Sequence, residues 1–584
     1  MIEFHLQTCG VEFDRFFYCF LDIRMCLWYN MNIMDKNVLR EYAITEYRRW
    51  LSAAEDNEAL KAELLELGEN EDELIDSFSQ HLKFGTSGLR GILGIGTNRL
   101  NEYVVRRTTQ GFANYLHREF ADPSVVIAYD TRKNSRKFAE ETAKVLRGNN
   151  IKVYLFSKLA TVSLLSYAIG ALGCDMGIMI TASHNPKIYN GYKVYNADGY
   201  QIIGRVADSI LTEINKVDFF DIINSSEEGI LDVPETVSEA FIRDIVEFLP
   251  PMDKEMLNGV KAVYTPLNGT GNHYVRDVFQ RIGYDDIAIV TTQEMPDEEF
   301  TTCPAPNPEK ITAFAEGVKL MDQIHADIII GTDPDCDRVG ACVRHGGMKA
   351  LITGNQLGAL MLDYLCQVKK PESGQMVIKS IVTTPMVERI AKANGLEVIN
   401  TLTGFKYIGE IITGLREENQ AWKYYFGCEE SHGYLMDGFI RDKDGVSSAA
   451  LVLCMAAFHK ARGKDLVERL RELYDEYGAC KDKTRNYEFY GPYAQLAMDQ
   501  AMAYFRKHVN TCIGDKKIVN VIDYLQDTGL PKSNVIKYEL EDGTELIIRP
   551  SGTEPKIKVY FFESYSDTAL EDEIKHMIER FKSC

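Results

Sequence analysis

Three short, nearly unbroken apolar runs stand out along the chain, and each gives way at once to a polar loop. Met176-Gly177-Ile178-Met179-Ile180 leads into Thr181-Ala182-Ser183-His184-Asn185-Pro186. Ile328-Ile329-Ile330 leads into Gly331-Thr332-Asp333-Pro334-Asp335-Cys336-Asp337-Arg338, and the aromatic run 422–426 into Gly427-Cys428-Glu429-Glu430-Ser431-His432-Gly433. Short continuous apolar runs predict strands covered on both faces, as in parallel or mixed sheets. Ligands of open α/β sheets bind beyond the carboxyl ends of the strands, so these loops are where chemistry is expected.

The surrounding pattern repeats. Residues 125–129 and 152–156 read as strands, 135–147 and 162–172 as helices, before the serine run. A second series runs from Val260 through a helix over 310–325 to the aspartate loop, and a third from Met376 through 385–394 and Val398 to the glutamate loop. Three related α/β domains with mixed sheets are therefore predicted, over 34–232, 233–345 and 346–480, each giving one loop to a shared central cleft. After about residue 480 the pattern becomes helix, strands over 535–540, 545–548 and 557–562, and a helix over 570–581, which predicts a separate α+β domain over 481–584. Residues 42–51 are helical in pattern, and 54–74, acidic with Leu60, Leu64, Leu65 and Leu67, reads as one solvated helix. Residues 1–33 are aromatic-rich but carry Asp14, Arg15, Asp22 and Arg24, without the basic start and clean apolar centre of a signal peptide. The expectation is that translation starts at Met34 and that 1–33 is an extension misread from upstream.

Composition narrows the class. At 584 residues the chain is too long for one core. A formal net charge of −21 argues against a nucleic-acid partner, so an anionic ligand needs a local basic cleft. Thirteen cysteines without a Cys-x-x-Cys pair read as reduced thiols in the cytoplasm, and no run approaches membrane-span length. Cys336 and Cys428 fall inside motif loops, which predicts sensitivity to thiol reagents. Dinucleotide fingerprints fail, because Gly94-Ile95-Gly96 is followed by Arg99 and Gly269-Thr270-Gly271 by Tyr274 where a third glycine belongs.

The loops then suggest chemistry. Ser183, just past a strand end, is either a reactive hydroxyl or part of an ordinary Ser/Asn/Pro turn. Asp333, Asp335 and Asp337 alternate, so in an extended chain they share a face and can converge on one hard cation. An EF-hand is excluded, since Arg338 and Arg344 occupy its glycine and glutamate positions, whereas Mg²⁺ suits a few carboxylates completed by water or phosphate oxygen. Arg549-Pro550-Ser551-Gly552-Thr553-Glu554-Pro555-Lys556 offers a guanidinium, hydroxyls and glycine-exposed amides, a phosphate cradle or a surface turn. Glu429 and Glu430 are paired carboxylates beyond a strand end, either a site for sugar hydroxyls or an ordinary exposed acidic turn.

Together with Phe84-Gly85-Thr86-Ser87-Gly88-Leu89-Arg90-Gly91 and Thr403-Gly404-Phe405-Lys406, these four segments, in this order, resemble the α-D-phosphohexomutase superfamily from about residue 40 onward. The resemblance implies a phosphorylated Ser183, Mg²⁺ held by Asp333, Asp335 and Asp337 with Ser183, and a C-terminal domain acting as a mobile lid. It implies Lys193, ten residues after the serine, as first candidate for proton transfer, assisted by His184 and His432. Thr403, Gly404, Glu429 and Ser431 would hold the sugar; Arg549, Ser551, Gly552 and Thr553 the phosphate that is not reacting; Arg90 and Arg338 would add phosphate contacts or structural ion pairs. Length and the Glu429-Glu430-Ser431 loop are most similar to the longer phosphoglucomutases and the phosphopentomutase-like branch. The expected reaction interconverts glucose 1-phosphate and glucose 6-phosphate through glucose 1,6-bisphosphate, which also serves as activator. Pentose or mannose phosphates are the alternative substrates, and a sugar-bisphosphate synthase or phosphatase the alternative enzyme. A non-catalytic scaffold is disfavoured by the intact Ser183, Lys193 and three aspartates. The sequence leaves the oligomeric state open.

Overall fold

The valine- and isoleucine-rich runs become the central strands of four sheets in the computed structural model, which describes residues 37–85, 88–491, 493–508, 511–552, 555–563 and 567–582. The first sheet contains β1 (Gly88–Ile92), β2 (Ser124–Tyr129), β3 (Lys152–Leu155), β4 (Met176–Ile180), β5 (Tyr189–Tyr195) and β6 (Ile230–Asp232) in the order β1-β5-β4-β2-β3-β6. β2 pairs in parallel with β3 and β4, while β5 runs antiparallel to β1 and β4, so the sheet is mixed. Every residue of β2 and β4 is buried, as their unbroken apolar sequences require.

The second sheet, of β7 (Ala262–Thr265), β8 (Ala288–Ile289), β9 (Ile328–Thr332), β10 (Val339–His345) and β11 (Met348–Ile352), has the order β11-β10-β9-β7-β8. The third, of β12 (Met376–Ser380), β13 (Glu397–Thr401), β14 (Tyr424–Glu429) and β15 (Gly433–Leu435), has the order β13-β12-β14-β15. The C-terminal sheet joins β16 (Lys481–Glu488), β17 (Cys512–Ile513), β18 (Lys516–Asp523), β19 (Ile536–Leu540), β20 (Glu545–Pro550) and β21 (Lys556–Glu563) in the order β16-β21-β20-β19-β18-β17, antiparallel throughout. The expected class therefore holds: three α/β sheets followed by an α+β domain.

Local chemistry ends the elements. Thr161 caps the helix Val162–Leu172 by accepting from Leu164 N, and Gly173 closes it at φ +62°. Asp444 caps Gly445–Lys460, a helix buried on nearly all sides that packs against β9, β10 and β15. Its all-round apolar sequence fits that interior position.

Among the described residues, those from 37 to 81, with 95–99 and those over 490–494, cluster as one compact unit and the remainder as another. In the smaller unit Trp50 is fully buried edge-on to Phe78, with ring centroids 5.6 Å apart. The single solvated helix expected over 54–74 is two, Glu58–Leu67 and Glu71–Phe78, each with an asparagine N-cap, and Leu60, Leu64 and Leu74 are buried. Gly68 and Asn70 supply the break. The helix expected after about residue 480 is Ala494–His508, but the strand β16, which the sequence pattern does not predict, precedes it; its alternation is hidden because of its residues only Tyr487 is buried. The expected start at Met34 and the segment 1–33 lie outside the described residues. Among the described residues no helix is long and apolar enough to cross a membrane.

Candidate active site

Ser183 follows the carboxyl end of β4 by three residues and sits in left-handed backbone geometry at φ +52°. Cys336 in the aspartate loop (φ +53°) and His432 in the glutamate loop (φ +62°) do the same. Left-handed non-glycine residues are uncommon and gather at functional sites, where surrounding bonds over-determine the turn. For the serine loop those bonds are visible. Arg132, fully buried, donates from Nη2 to the carbonyls of Ser183 and Asn185, both at 2.5 Å, and from Nη1 to those of Pro186 and Tyr189, both at 3.1 Å. Asp130 accepts from Thr181 Oγ1 at 2.6 Å, and Thr181 Oγ1 accepts from Ser183 N at 2.8 Å. The loop is thus fixed from behind by the end of β2.

In front of it stand the three aspartates. Ser183 Oγ donates to Asp333 Oδ2 at 2.8 Å and lies 3.4 Å from Asp337 Oδ1. Asp333, Asp335 and Asp337 are all buried, and each offers a carboxylate oxygen within 4.8 Å of the others. Burial, with the like charges of Asp335 and Asp337, pushes Asp333 well above the usual carboxylate range. Burial acts upward on Asp337 as well, but Lys443, Lys193 and Arg338 outweigh it and hold that carboxyl low. Asp335 Oδ1 is buried without a hydrogen-bond partner. An unpaired buried carboxylate oxygen beside two more carboxylates and a serine hydroxyl fits a hard, oxygen-preferring cation such as Mg²⁺.

Cations close the other side. Lys193 Nζ donates to Asp335 Oδ2 at 2.8 Å and lies 3.5 Å from Asp337 Oδ2. Asn190 and Gly191, just before this lysine, lie within β5. A Cβ on Gly191 would stand 2.5 Å from the Thr181 carbonyl oxygen, so glycine permits the close approach of the serine loop. Arg338 pairs with Glu309 at 2.5 Å while remaining 3.7 Å from Asp337, and Arg90 donates to Asn185 Oδ1 at 3.1 Å. His184, half-buried, has Nδ1 3.3 Å from Ser183 Oγ; burial and the cations Arg338 and Arg90 drive its pKa well down, so it is neutral. His432 is also lowered by burial and donates from Nδ1 to the Val339 carbonyl at 3.1 Å, which leaves Nε2 as acceptor.

The glutamate loop and the C-terminal loop over 549–556 form a second cluster. Glu429 Oε1 accepts from Gly404 N at 2.6 Å, where Gly404 has φ +122°. Burial and the neighbouring Glu430 raise the Glu429 carboxyl to about 7. The Thr403 hydroxyl is buried without a hydrogen-bond partner, and Ser431 is half-buried at the loop apex. Ser551 N donates to the Lys556 carbonyl at 2.8 Å, closing the loop, and a Cβ on Gly552 would meet open space. Arg549 meets Tyr560, with Nη2 3.2 Å from its hydroxyl, and lies 3.5 Å through Nη1 from the Pro550 carbonyl. Thr553 lies outside the described residues, as do Thr86 and Ser87.

Sequence reasoning missed Arg132, Asp130 and Lys443. Lys443 Nζ lies 3.1 Å from Asp337 Oδ2, and a Cβ on Gly433 would collide with its side chain. The available signals were the Asp130-Thr131-Arg132 step at a strand end and the charged run Arg441-Asp442-Lys443-Asp444 before a helix. The expected thiol sensitivity is corrected. Cys336 and Cys428 are fully buried, and burial pushes both thiols up, that of Cys428 to about 12, so neither is a ready nucleophile.

Four consecutive family matches cover this architecture. They are the phosphoglucomutase/phosphomannomutase alpha/beta/alpha domain I over residues 81–221, domain II over 239–347, domain III over 353–477 and the C-terminal domain over 509–581. The chain is 36% identical over 501 residues to a phosphoglucomutase of Staphylococcus epidermidis, covering 82% of this chain and 90% of that one. It is 35% identical over 507 residues to the phosphoglucomutase of Staphylococcus aureus, covering 83% and 90%. The fold matches parafusin, a phosphoglucomutase from Paramecium, with a TM-score of 0.61 at 20% identity over 86% of this chain and 96% of that one. A phosphoglucomutase/phosphomannomutase family protein from Burkholderia thailandensis matches with a TM-score of 0.63 at 18% identity, over 85% and 97%. With four domains matched in order and more than a third of positions identical to relatives over most of their length, the chain belongs to the phosphoglucomutase/phosphomannomutase family.

Proposed function

We propose that this protein interconverts glucose 1-phosphate and glucose 6-phosphate through a phosphoserine at Ser183 and a glucose 1,6-bisphosphate intermediate. The observation that carries the reading is Ser183 Oγ, 2.8 Å from Asp333 at the rim of three buried aspartates, with Lys193 Nζ 2.8 Å from the second of them. Phospho-Ser183 gives its phosphoryl group to the free hydroxyl of the bound monophosphate: the new O–P bond forms at the sugar, the Oγ–P bond breaks with its electron pair on Oγ, and the sugar hydroxyl proton passes through a base while Oγ is protonated. After the bisphosphate turns over, Ser183 Oγ takes back the other phosphoryl group and the released sugar oxygen regains a proton. Lys193 is placed to hold and return these protons, and the neutral His184 beside Oγ is a second acceptor. Mg²⁺ held by Asp333, Asp335, Asp337 and Ser183 would supply positive charge against the phosphoryl oxygens.

The remaining residues bind and orient. Glu429, with Ser431, Thr403 and the Gly404 backbone, holds sugar hydroxyls in either orientation; Arg549, Ser551, Gly552 and Thr553 hold the distal phosphate, and the C-terminal domain acts as a lid. Binding energy from that distal end excludes water, which would otherwise hydrolyse the phosphoserine. The test is turnover of glucose, mannose and ribose 1-phosphates with Mg²⁺ and a trace of glucose 1,6-bisphosphate. Preferred conversion of the glucose ester supports the reading, preference for another sugar replaces the substrate, and release of bisphosphate without isomerisation replaces the reaction.

A further inference from the structure

We propose that Tyr560 is a positioning residue: its hydroxyl orients Arg549 for the distal phosphate and ties that arginine to Glu430 of the sugar loop. Phosphate capture by the C-terminal sheet and sugar binding by the third sheet are thereby coupled. The inference rests on the mutase reading for its ligand, but its geometry stands independently.

On neighbouring strands, Arg549 of β20 lies opposite Lys558 of β21, and Tyr560 is two residues further along the same face. Arg549 donates to Tyr560 Oη from Nε at 3.3 Å and from Nη2 at 3.2 Å. The phenol has one proton, and it goes to Glu430 Oε1 at 3.2 Å. Glu430 Oε2 accepts from Ser380 Oγ at 3.3 Å, at the end of β12. A guanidinium presents five N–H groups in a fixed fork. With the Nε edge committed to the phenol, and Nη1 only 3.5 Å from the Pro550 carbonyl, the terminal N–H groups are left for a two-pronged grip on phosphate. Tyr560 is 1% exposed, and burial keeps its phenol protonated far above neutrality, so the relay holds its direction across the working pH range. A second duty follows for Glu430. Its charge helps raise Glu429, the sugar-binding carboxylate beside it, so both ends of the substrate are read through one dipeptide.

Tyr560→Phe keeps the ring and removes only the hydroxyl. A hydrogen bond in such a network, freed to leave a partner unsatisfied, predicts a rise of roughly 10-fold in KM for glucose 1-phosphate, with kcat changed less than about twofold. Glu430→Ala should raise KM similarly, and the double variant should fall short of the product of the singles by at least about threefold. Calorimetric binding of glucose 1,6-bisphosphate in a Ser183→Ala background should repeat the pattern in Kd. Unchanged KM and Kd in Tyr560→Phe, strictly multiplicative effects, or a loss of kcat and Tm without a KM shift would overturn the proposal. Wild-type protein that binds the bisphosphate but turns over no sugar phosphate would sink the mutase reading alone, since the pattern in Kd would still decide the coupling. Wild-type protein that fails to bind it would overturn both.

Discussion

Two parts of the candidate site, the serine loop with its aspartates and the loop over 549–556, are built differently. Around Ser183 the described groups, Asp335 Oδ1 excepted, are densely bonded: four carbonyls to Arg132, Oγ to Asp333, Lys193 and Lys443 to the aspartates. At the loop over 549–556 the described contacts are the bond from Ser551 N to the Lys556 carbonyl and those of Arg549 with Tyr560 and the Pro550 carbonyl, and a Cβ on Gly552 would meet open space. Buried charges left unpaired cost several kcal/mol, so the reacting end has to be complete before substrate arrives. On the proposed reading, the Arg549 guanidinium at the other end meets the distal phosphate, and its binding energy appears only when the ligand bridges both ends. The comparison teaches where to expect damage in kcat and where in KM.

Ser183→Ala should cut turnover by about 10⁴-fold or more while Tm changes little, as for other lost nucleophiles; a variant with measurable mutase activity would break the contrast at its base. Lys193→Met should lower kcat by roughly 10²–10⁴-fold. It should also cost about 3–5 kcal/mol in denaturant unfolding, because Lys193 is only 7% exposed and its loss leaves Asp335 uncompensated. Arg132→Lys cannot reproduce four carbonyl bonds, and a shift of the serine loop on the order of 1 Å should cost about 10²-fold in kcat with KM nearly unchanged. Arg549→Lys, by contrast, should raise KM roughly 10-fold and spare kcat, since a point charge replaces a fork; a kcat effect larger than the KM effect would erase the distinction between the two ends.

The smallest effect sharpens the comparison through pH. With the Glu429 carboxyl raised to about 7 by burial and Glu430, the group is protonated below that pH and loses capacity to accept sugar hydroxyls. KM should therefore rise a few-fold as pH falls through about 7. In Glu429→Gln that inflection should vanish, leaving only the titration of the substrate phosphate; a profile identical to wild type would assign it elsewhere.

Legibility in the sequence follows the same division. Ser183, the three aspartates and Glu429 were readable because the chemistry of each loop is contiguous and directly follows an apolar strand. Helix Val162–Leu172 and strand Met176–Ile180 match their predicted limits, since capping and continuous burial are local signals. What escaped depends on the fold. Arg132 reaches Ser183 across 51 positions, and Tyr560 reaches Glu430 across 130. Tyr560 read as one more apolar residue of a strand, and its hydroxyl had no partner until two sheets were placed together. β16 was lost for the converse reason: at the edge of its sheet it buries one side chain in eight, and edge strands favour charge.

The most direct measurement is the phosphorylation state of Ser183 during turnover. The protein would be exposed briefly to glucose 1,6-bisphosphate and Mg²⁺, chased with glucose 1-phosphate, and quenched for peptide mass spectrometry. The account predicts one phosphoryl group on the Ser183 peptide before the chase and its transfer to sugar, as newly formed bisphosphate, at the rate of turnover. Isomerisation at full rate with Ser183 never phosphorylated would contradict it.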